Sequence, residues 1–294
     1  MSYVKFTLLL LLICFQANTL HAQKLAYQIF DKKGKMLSYD SLLNASAEAN
    51  IILFGEIHNN PIGHWLQNEL TKDLYKKVKE NLILGAEMLE SDNQIILDEY
   101  LEGFIDEKKF EAEARLWPNY KTDYKPIVDF AKKKKLSVIA TNVPRRYASM
   151  VYKKGLSELN TLSDAAKKWI APLPIEVDLE LNSYKEMLNM AHSTTSKKDS
   201  TAQNFPHSQA VKDATMAHFI LSNWIDGDCF LHFNGSYHSD DYEGINWYLK
   251  QKKKEAKILT ITTVEQPDVR LLAKKFKGKA DFIICVPKSM TKTH

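Results

Sequence analysis

The feature that most constrains this chain is a series of short apolar runs, each closed by polar residues and separated from the next by stretches of helical periodicity. Residues 51–54, 82–86, 136–140, 229–233, 258–262 and 282–286 are too short for helices and largely apolar or β-branched, as strands covered on both faces must be. Between the first two, Asn60 can cap a helix and Pro61 suits its first turn; Ile62, Leu66, Leu70, Leu74 and Val78 then recur every four residues, with Trp65 beside them. Strands alternating with helices predict an α/β fold, a mainly parallel sheet with helices on both faces. A hairpin precedes it, with strands at 26–30 and 36–39 and a turn at Lys33-Gly34.

Residues 91–135 read as two or three helices, Pro144 opens another, and 156–170 and 179–192 are further helical stretches. The polar stretch 193–205 has no apolar periodicity and reads as a mobile loop. Ser208 is the expected cap of a long helix with Ala210, Ala214, Ala217, Leu221 and Trp224 on one face. The mature chain, 23–294, is thus expected to be one α/β domain with an all-helical insertion at about 144–206, a lobe or lid over the sheet.

The N-terminus has the anatomy of a secretory signal. Lys5 precedes an apolar run from Phe6 to Phe15, too short to span a bilayer, which takes about 20 residues. Leu20-His21-Ala22 is a fitting cleavage site, so residues 1–22 read as a signal peptide and the protein as exported, periplasmic or secreted. Cys14 raises a lipoprotein alternative, but Ile13 is bulky where a small residue is expected, so plain secretion is preferred. The mature chain keeps Cys229 and Cys285, both in apolar runs and read as core thiols; an oxidising compartment would permit a disulfide, but nothing in the sequence shows that they meet.

Composition narrows the function. The balance of 40 Lys and Arg against 36 Asp and Glu leaves a net charge of +4, so nucleic acid is not an expected partner. Three cysteines without a CxxC pair argue against a zinc ribbon, an iron–sulfur ferredoxin and c-type haem attachment. No GxGxxG, Walker A, HExxH or GxSxG element is present. The lysine runs 132–135 and 252–254 read as helix C-termini, where positive charge suits the macrodipole.

In such sheets ligands bind beyond the carboxyl ends of the strands. Gly55, Glu56, Ile57 and His58 follow the first apolar run, and Glu87 follows the second. Asn142, Pro144 and Arg145 follow the third, and Asn234, Gly235, Ser236, Tyr237 and His238 the fourth. Taken singly, Glu56 could cap a helix, His58 could be a satisfied loop histidine and Glu87 could pair with Arg145. Together they point to a site, because charges at buried strand ends cost several kcal/mol unless paired or functional. Glu56, His58, Glu87 and His238 fit a divalent-metal site, or a general acid/base pair without metal. Trp117, Tyr120 and Tyr124 bring aromatics to the same edge, and tyrosine is a known haem-iron ligand type. His218 reads as a core histidine, His192 and His207 as surface groups, and Lys212–Asp213 as a solvated pair.

The stretch Leu53-Phe54-Gly55-Glu56-Ile57-His58-Asn59-Asn60-Pro61, with His64 and Gln67, resembles the opening motif of the ChaN-type haem-binding uptake proteins, which are bacterial exported proteins or lipoproteins. The resemblance continues in order through Leu84-Gly85-Ala86-Glu87-Met88, the Trp117–Tyr120 region and Ala140-Thr141-Asn142-Val143-Pro144-Arg145. It resumes at Gln209, Asp213, Thr215, Met216 and Ala217, and ends at Asn234-Gly235-Ser236-Tyr237-His238. The layout also resembles the wider Tiki/TraB and erythromycin-esterase group, with its two Gly-x-x-His motifs and a glutamate, here Gly55 to His58, Gly235 to His238, and Glu87.

The resemblance implies an exported haem-binding protein of haem or iron uptake or scavenging, with haem in a pocket shared between two subunits and hence a homodimer. It implies a tyrosine on the iron, with Tyr120 and Tyr124 the first candidates and Tyr147 and Tyr237 behind them. His58, His64, Asn142, Arg145 and His238 are the other cofactor contacts it suggests. Tyr237 stands where the family commonly has a small residue. Outer-membrane association is also implied, against the evidence of Ile13. The alternative from the wider group is a metal-dependent or Glu/His-dependent hydrolase, a peptidase or esterase, using Glu56, His58, Glu87 and His238.

Overall fold

The computed structural model describes residues 24–194 and 200–294. The residues read as a signal peptide, with Cys14, and part of the polar 193–205 stretch lie outside the described residues.

Eight strands form one sheet in the order β2-β1-β8-β7-β3-β6-β4-β5. They are β1 (Gln28–Asp31), β2 (Met36–Leu37), β3 (Ile51–Glu56), β4 (Leu82–Glu90), β5 (Val138–Asn142), β6 (Cys229–Gly235), β7 (Ile258–Gln266) and β8 (Phe282–Pro287). All neighbours pair in parallel except β1, which runs antiparallel to both β2 and β8. The α/β expectation therefore holds. Several strands run past their apolar runs into the polar residues that follow: β3 ends on Glu56, β4 on Glu90 and β6 on Gly235. Ladder hydrogen bonds depend on the backbone, not on side-chain polarity, so pairing continues to Glu56 opposite Gly235. In β4 the register against β5 shifts between Ala86 and Glu90, an irregularity that re-aims the side chains just where Glu87 lies.

The helices differ from expectation in four places. Tyr39 is not in the hairpin; it opens helix α1 (Tyr39–Ala47), because the Ser38 hydroxyl accepts the Ser41 N–H at 3.2 Å and caps it. Helix α2 (Pro61–Val78) matches the reading, with Asn60 Oδ1 accepting from the N–H groups of Ile62 and Gly63 at 3.1 Å. Helices α3 (Gln94–Glu102), α4 (Glu107–Glu113) and α5 (Lys125–Lys134) fill the next segment, and α6 (Arg145–Lys154) follows Pro144. The expected helical stretch 156–170 is split into a 3-10 helix, Leu156–Thr161, and a short α-helix α7 (Asp164–Lys167), capped by Ser163. Helix α8 (Asn182–Thr194) starts later than expected. Helix α9 (Phe205–Asn223) begins before Ser208, with Pro206 in its first turn; the Ser208 hydroxyl donates to the Ala148 carbonyl at 2.9 Å and caps nothing.

The strand alternation splits the core. Ile52 and Phe54 face Leu66, Leu70 and Leu74 of α2, while Ile51 and Leu53 face Met216, Ala217 and Ile220 of α9. Each such side chain contributes about 1.5–3 kcal/mol when fully buried. Tyr147, Val151, Leu159 and Ile175 pack on Val211 and Ala214, which docks the 144–206 segment against α9. Helix α10 (Ile245–Lys252) lies beside them. Cys229 and Cys285 are buried free thiols, each pushed up to about 12 by burial. Among the described residues no helix is long and apolar enough to cross a membrane.

Candidate functional site

Because β6 lies between β3 and β4, the carboxyl ends of these three strands stand side by side. Two carboxylate–imidazole pairs form there. Glu56, 2% exposed, ends β3. Its Oε1 accepts from the Tyr124 hydroxyl at 2.6 Å and lies 2.9 Å from His58 Nδ1. Its Oε2 accepts from Gln67 Nε2 at 2.7 Å. Behind it, His64 Nδ1 is 3.0 Å from Gln67 Oε1, and Nε2 is 3.0 Å from the His58 carbonyl. His58 is the partly solvent-facing member, edge-on to Trp117 at 5.0 Å between ring centroids. Burial lowers its affinity for a proton, but the Glu56 hydrogen bond and the charges of Glu87 and Glu56 outweigh this and raise it overall.

The second pair is deeper. Glu87 Oε2 accepts the Gly235 N–H at 2.7 Å, and Oε1 lies 3.1 Å from His238 Nε2. His238 Nδ1 is 2.5 Å from Asp213 Oδ1, and Asp213 Oδ2 accepts from the Tyr184 hydroxyl at 2.8 Å. The Gln209 amide lies 3.0 Å from the same ring nitrogen. Burial opposes charge on His238, yet carboxylates on both ring nitrogens push it up to about 9. Against its own burial, Glu87 is held well below the usual carboxylate range by His238, His58 and the Gly235 amide. At neutral pH His238 is therefore an imidazolium clamped between two acids.

The pairs touch through Gly235. A Cβ there would lie 2.7 Å from His58 Nε2 and Cε1, so only glycine lets the imidazole rest on the chain. Above them opens a cavity of about 690 Å³, in the range of ligand pockets. Glu56, His58, Glu87 and His238 line its floor, with Asn142 and Arg145. Trp117, Met187, Met190 and Phe205 make an apolar wall, and Lys212 and Tyr237 complete it. Asn142 Nδ2 donates to the Glu87 carbonyl at 3.0 Å, while its buried Oδ1 has no partner among the described residues.

Several sequence expectations need correction. Tyr120 packs in the core beside Phe110 and does not reach the cavity. Tyr124 is turned to Glu56, and Tyr147 is buried, accepting from Arg146 at 3.2 Å. Tyr237, 49% exposed, is the tyrosine that lines the cavity among the described residues. His64 is a buried support of Glu56 and lines no part of the cavity. Glu87 pairs with His238, not Arg145. The four-residue metal set does not converge, since each imidazole is engaged by its own carboxylate; among the described residues no group of three or more His, Cys, Asp or Glu is placed to hold a metal ion. Lys212–Asp213 is no solvated pair: Asp213 is buried on His238 and Tyr184, and Lys212 lines the cavity. Gln209 and Asp213, one helical turn apart, interrupt an otherwise small and apolar face of α9; that spacing was the available signal for both. His218 is part-buried rather than core.

A polar crevice at the carboxyl ends of a mainly parallel sheet, roofed by an apolar wall, defines a small-molecule-binding α/β protein. The chain belongs to the haem-binding uptake family, ChaN, of the Tiki superfamily, whose family profile matches residues 42–249. Among solved structures it is similar to ChaN of Campylobacter jejuni, described with cofacial haem binding, at 20% identity and a TM-score of 0.67, covering 88% of this chain and 96% of that one. It is also similar to a mutant of the erythromycin esterase EreC in its open conformation, at 11% identity and a TM-score of 0.51, covering 91% and 98%. A Bacillus cereus protein follows at 12% identity and a TM-score of 0.51, covering 86% and 92%. At these identities the structures show a shared fold. Comparison with curated protein sequences finds no match.

Proposed function

We propose that this chain is an exported haem-binding protein of haem or iron uptake or scavenging, and that haem occupies the 690 Å³ cavity. Family membership supports the ligand. One observation in the site carries the reading: a half-exposed tyrosine, Tyr237, shares the cavity with an apolar wall and with the cations Arg145 and Lys212. These residues fit the group. The wall takes the macrocycle, Tyr237 offers a phenolate to iron, and the cations suit carboxylates. Asn142 Oδ1 adds a buried acceptor in need of a donor. His238 is a poor iron ligand, because both ring nitrogens are already engaged.

Haemin titration followed by absorbance tests this. A saturable Soret band is expected from the mature protein, shifted or weakened in Tyr237→Phe and retained in Tyr120→Phe. No spectral change at micromolar haemin would overturn it. Export is tested by the mass of the protein recovered outside the cytoplasm, expected to start at Gln23. A homodimer sharing the pocket is tested by sedimentation-equilibrium mass with and without haemin.

A second reading, a hydrolase without metal, draws on the Glu56–His58 pair. His58 faces the cavity and is oriented by a buried carboxylate, the arrangement of a general base. Ester or peptide hydrolysis lost in His58→Ala would favour it.

A further inference from the structure

A smaller cavity of about 270 Å³ adjoins the main one, and the two share Glu90, Trp117 and Arg145. Three guanidinium groups, Arg115, Arg145 and Arg146, face it. Two of them are fixed by carboxylates that are themselves largely buried. Arg115 Nε donates to Glu90 Oε2 at 2.9 Å, and its Nη2 is bonded to Asp92. Asp92 also bridges to Arg146 Nη1 at 2.6 Å. Arg146 lies against the Tyr147 ring, 4.4 Å from its centroid, which removes further freedom. Arg145 is exposed and has no carboxylate partner among the described residues.

The placement runs against helix electrostatics. Arg145 and Arg146 open α6, whose first turn holds no acidic residue and whose capping position is Pro144, with no side-chain bond to the free N–H groups. Cations at the positive end of a helix repel it unless an anion sits there. Three guanidiniums against two carboxylates leave one positive charge uncompensated, and the planar fork of arginine matches an oxyanion in two-point contact.

We propose that this annex is an oxyanion subsite: a carboxylate or phosphate of a ligand whose apolar body lies in the main cavity docks among Arg145, Arg146 and Arg115, with Glu90 and Asp92 holding the latter two in position. It deepens the haem reading, on which it rests only for the identity of the ligand body.

The test uses metal-free protoporphyrin IX and its dimethyl ester as probes, read by tryptophan quenching in the mature protein, so that iron ligation plays no part. The diacid is expected to bind about tenfold or more tightly than the ester, as charge-assisted hydrogen bonds imply. Arg145→Gln, at an exposed position, and Arg146→Gln should each close that gap. Equal binding of diacid and ester by the wild type, or a gap that survives in both variants, overturns the subsite. If neither probe binds, the haem reading is decided by the haemin titration, and phosphorus NMR of inorganic phosphate decides the annex alone. Line broadening lost in Arg145→Gln then supports it for phosphate, and no broadening by the wild type overturns it.

Discussion

His238 Nε2 lies 3.1 Å from Glu87 Oε1, and the other oxygen of the same carboxylate receives the Gly235 N–H. One glutamate thus ties the end of β6 to the turn that follows it. With Asp213 on the far side of the ring, the floor of the cavity is a rigid charged unit rather than a set of free ligands.

Removing one acid from this unit should be costly. Glu87→Gln or Asp213→Ala leaves a buried imidazolium with half its compensation, a loss of about 3–5 kcal/mol for a broken buried pair. Urea unfolding at neutral pH should show it for both variants. A loss under about 1 kcal/mol, the level of an exposed pair, would mean that the His238 charge is not held as described.

Stability should also depend on pH in a defined direction. His238 rises from an ordinary value of 6.5 to about 9 in the folded protein, so its contribution is fully present below pH 6.5 and is lost as pH climbs through 9. Glu87 is depressed from 4.5, so its contribution is present above 4.5 and is lost as pH falls below it. The melting temperature is therefore expected to peak between these limits and to decline toward pH 9. Glu87→Gln should flatten the alkaline decline; an unchanged slope there would assign it to other groups.

Gly235→Ala probes the contact between the two pairs. Gly235 has φ −58°, so alanine is not strained by its backbone. The added Cβ would instead meet the His58 ring at 2.7 Å. Displacing His58 is expected to cost about 1–3 kcal/mol, as for an overpacked core, and to weaken haemin binding. Wild-type stability and affinity together would show that the ring yields freely.

Tyr124→Phe separates support from ligation. Its hydroxyl serves Glu56 and lies outside the cavity lining. Loss of one bond to a buried carboxylate should cost about 1–3 kcal/mol in unfolding experiments. The Soret position should stay at that of the wild type. A Soret change equal to that of Tyr237→Phe would contradict these separate roles.

Much of this arrangement was legible in the chain. The apolar runs located the parallel strands, and Asn60-Pro61 located the start of α2, because burial on both faces and capping are local demands that local residues must meet. That Glu56, His58, Glu87 and His238 meet at one edge of the sheet, where they line one cavity, was legible, since each follows a buried strand at its carboxyl end. Less legible was where α9 starts: Ser208 has the residue type of a cap, but a bond to the Ala148 carbonyl, from another helix, uses its hydroxyl.

The sequence by itself determined the strand–helix alternation, the edge at which the chemistry gathers and the family. Only the tertiary structure decided partnership: that Glu87 belongs to His238 and not Arg145, that Asp213 completes the clamp, that Tyr120 faces the core and Tyr237 the cavity. The physical reason is range. Periodicity and capping act over a few residues, whereas these pairings join strand ends far apart in the chain, brought together by β6 lying between β3 and β4 and by the packing of α9 beside them.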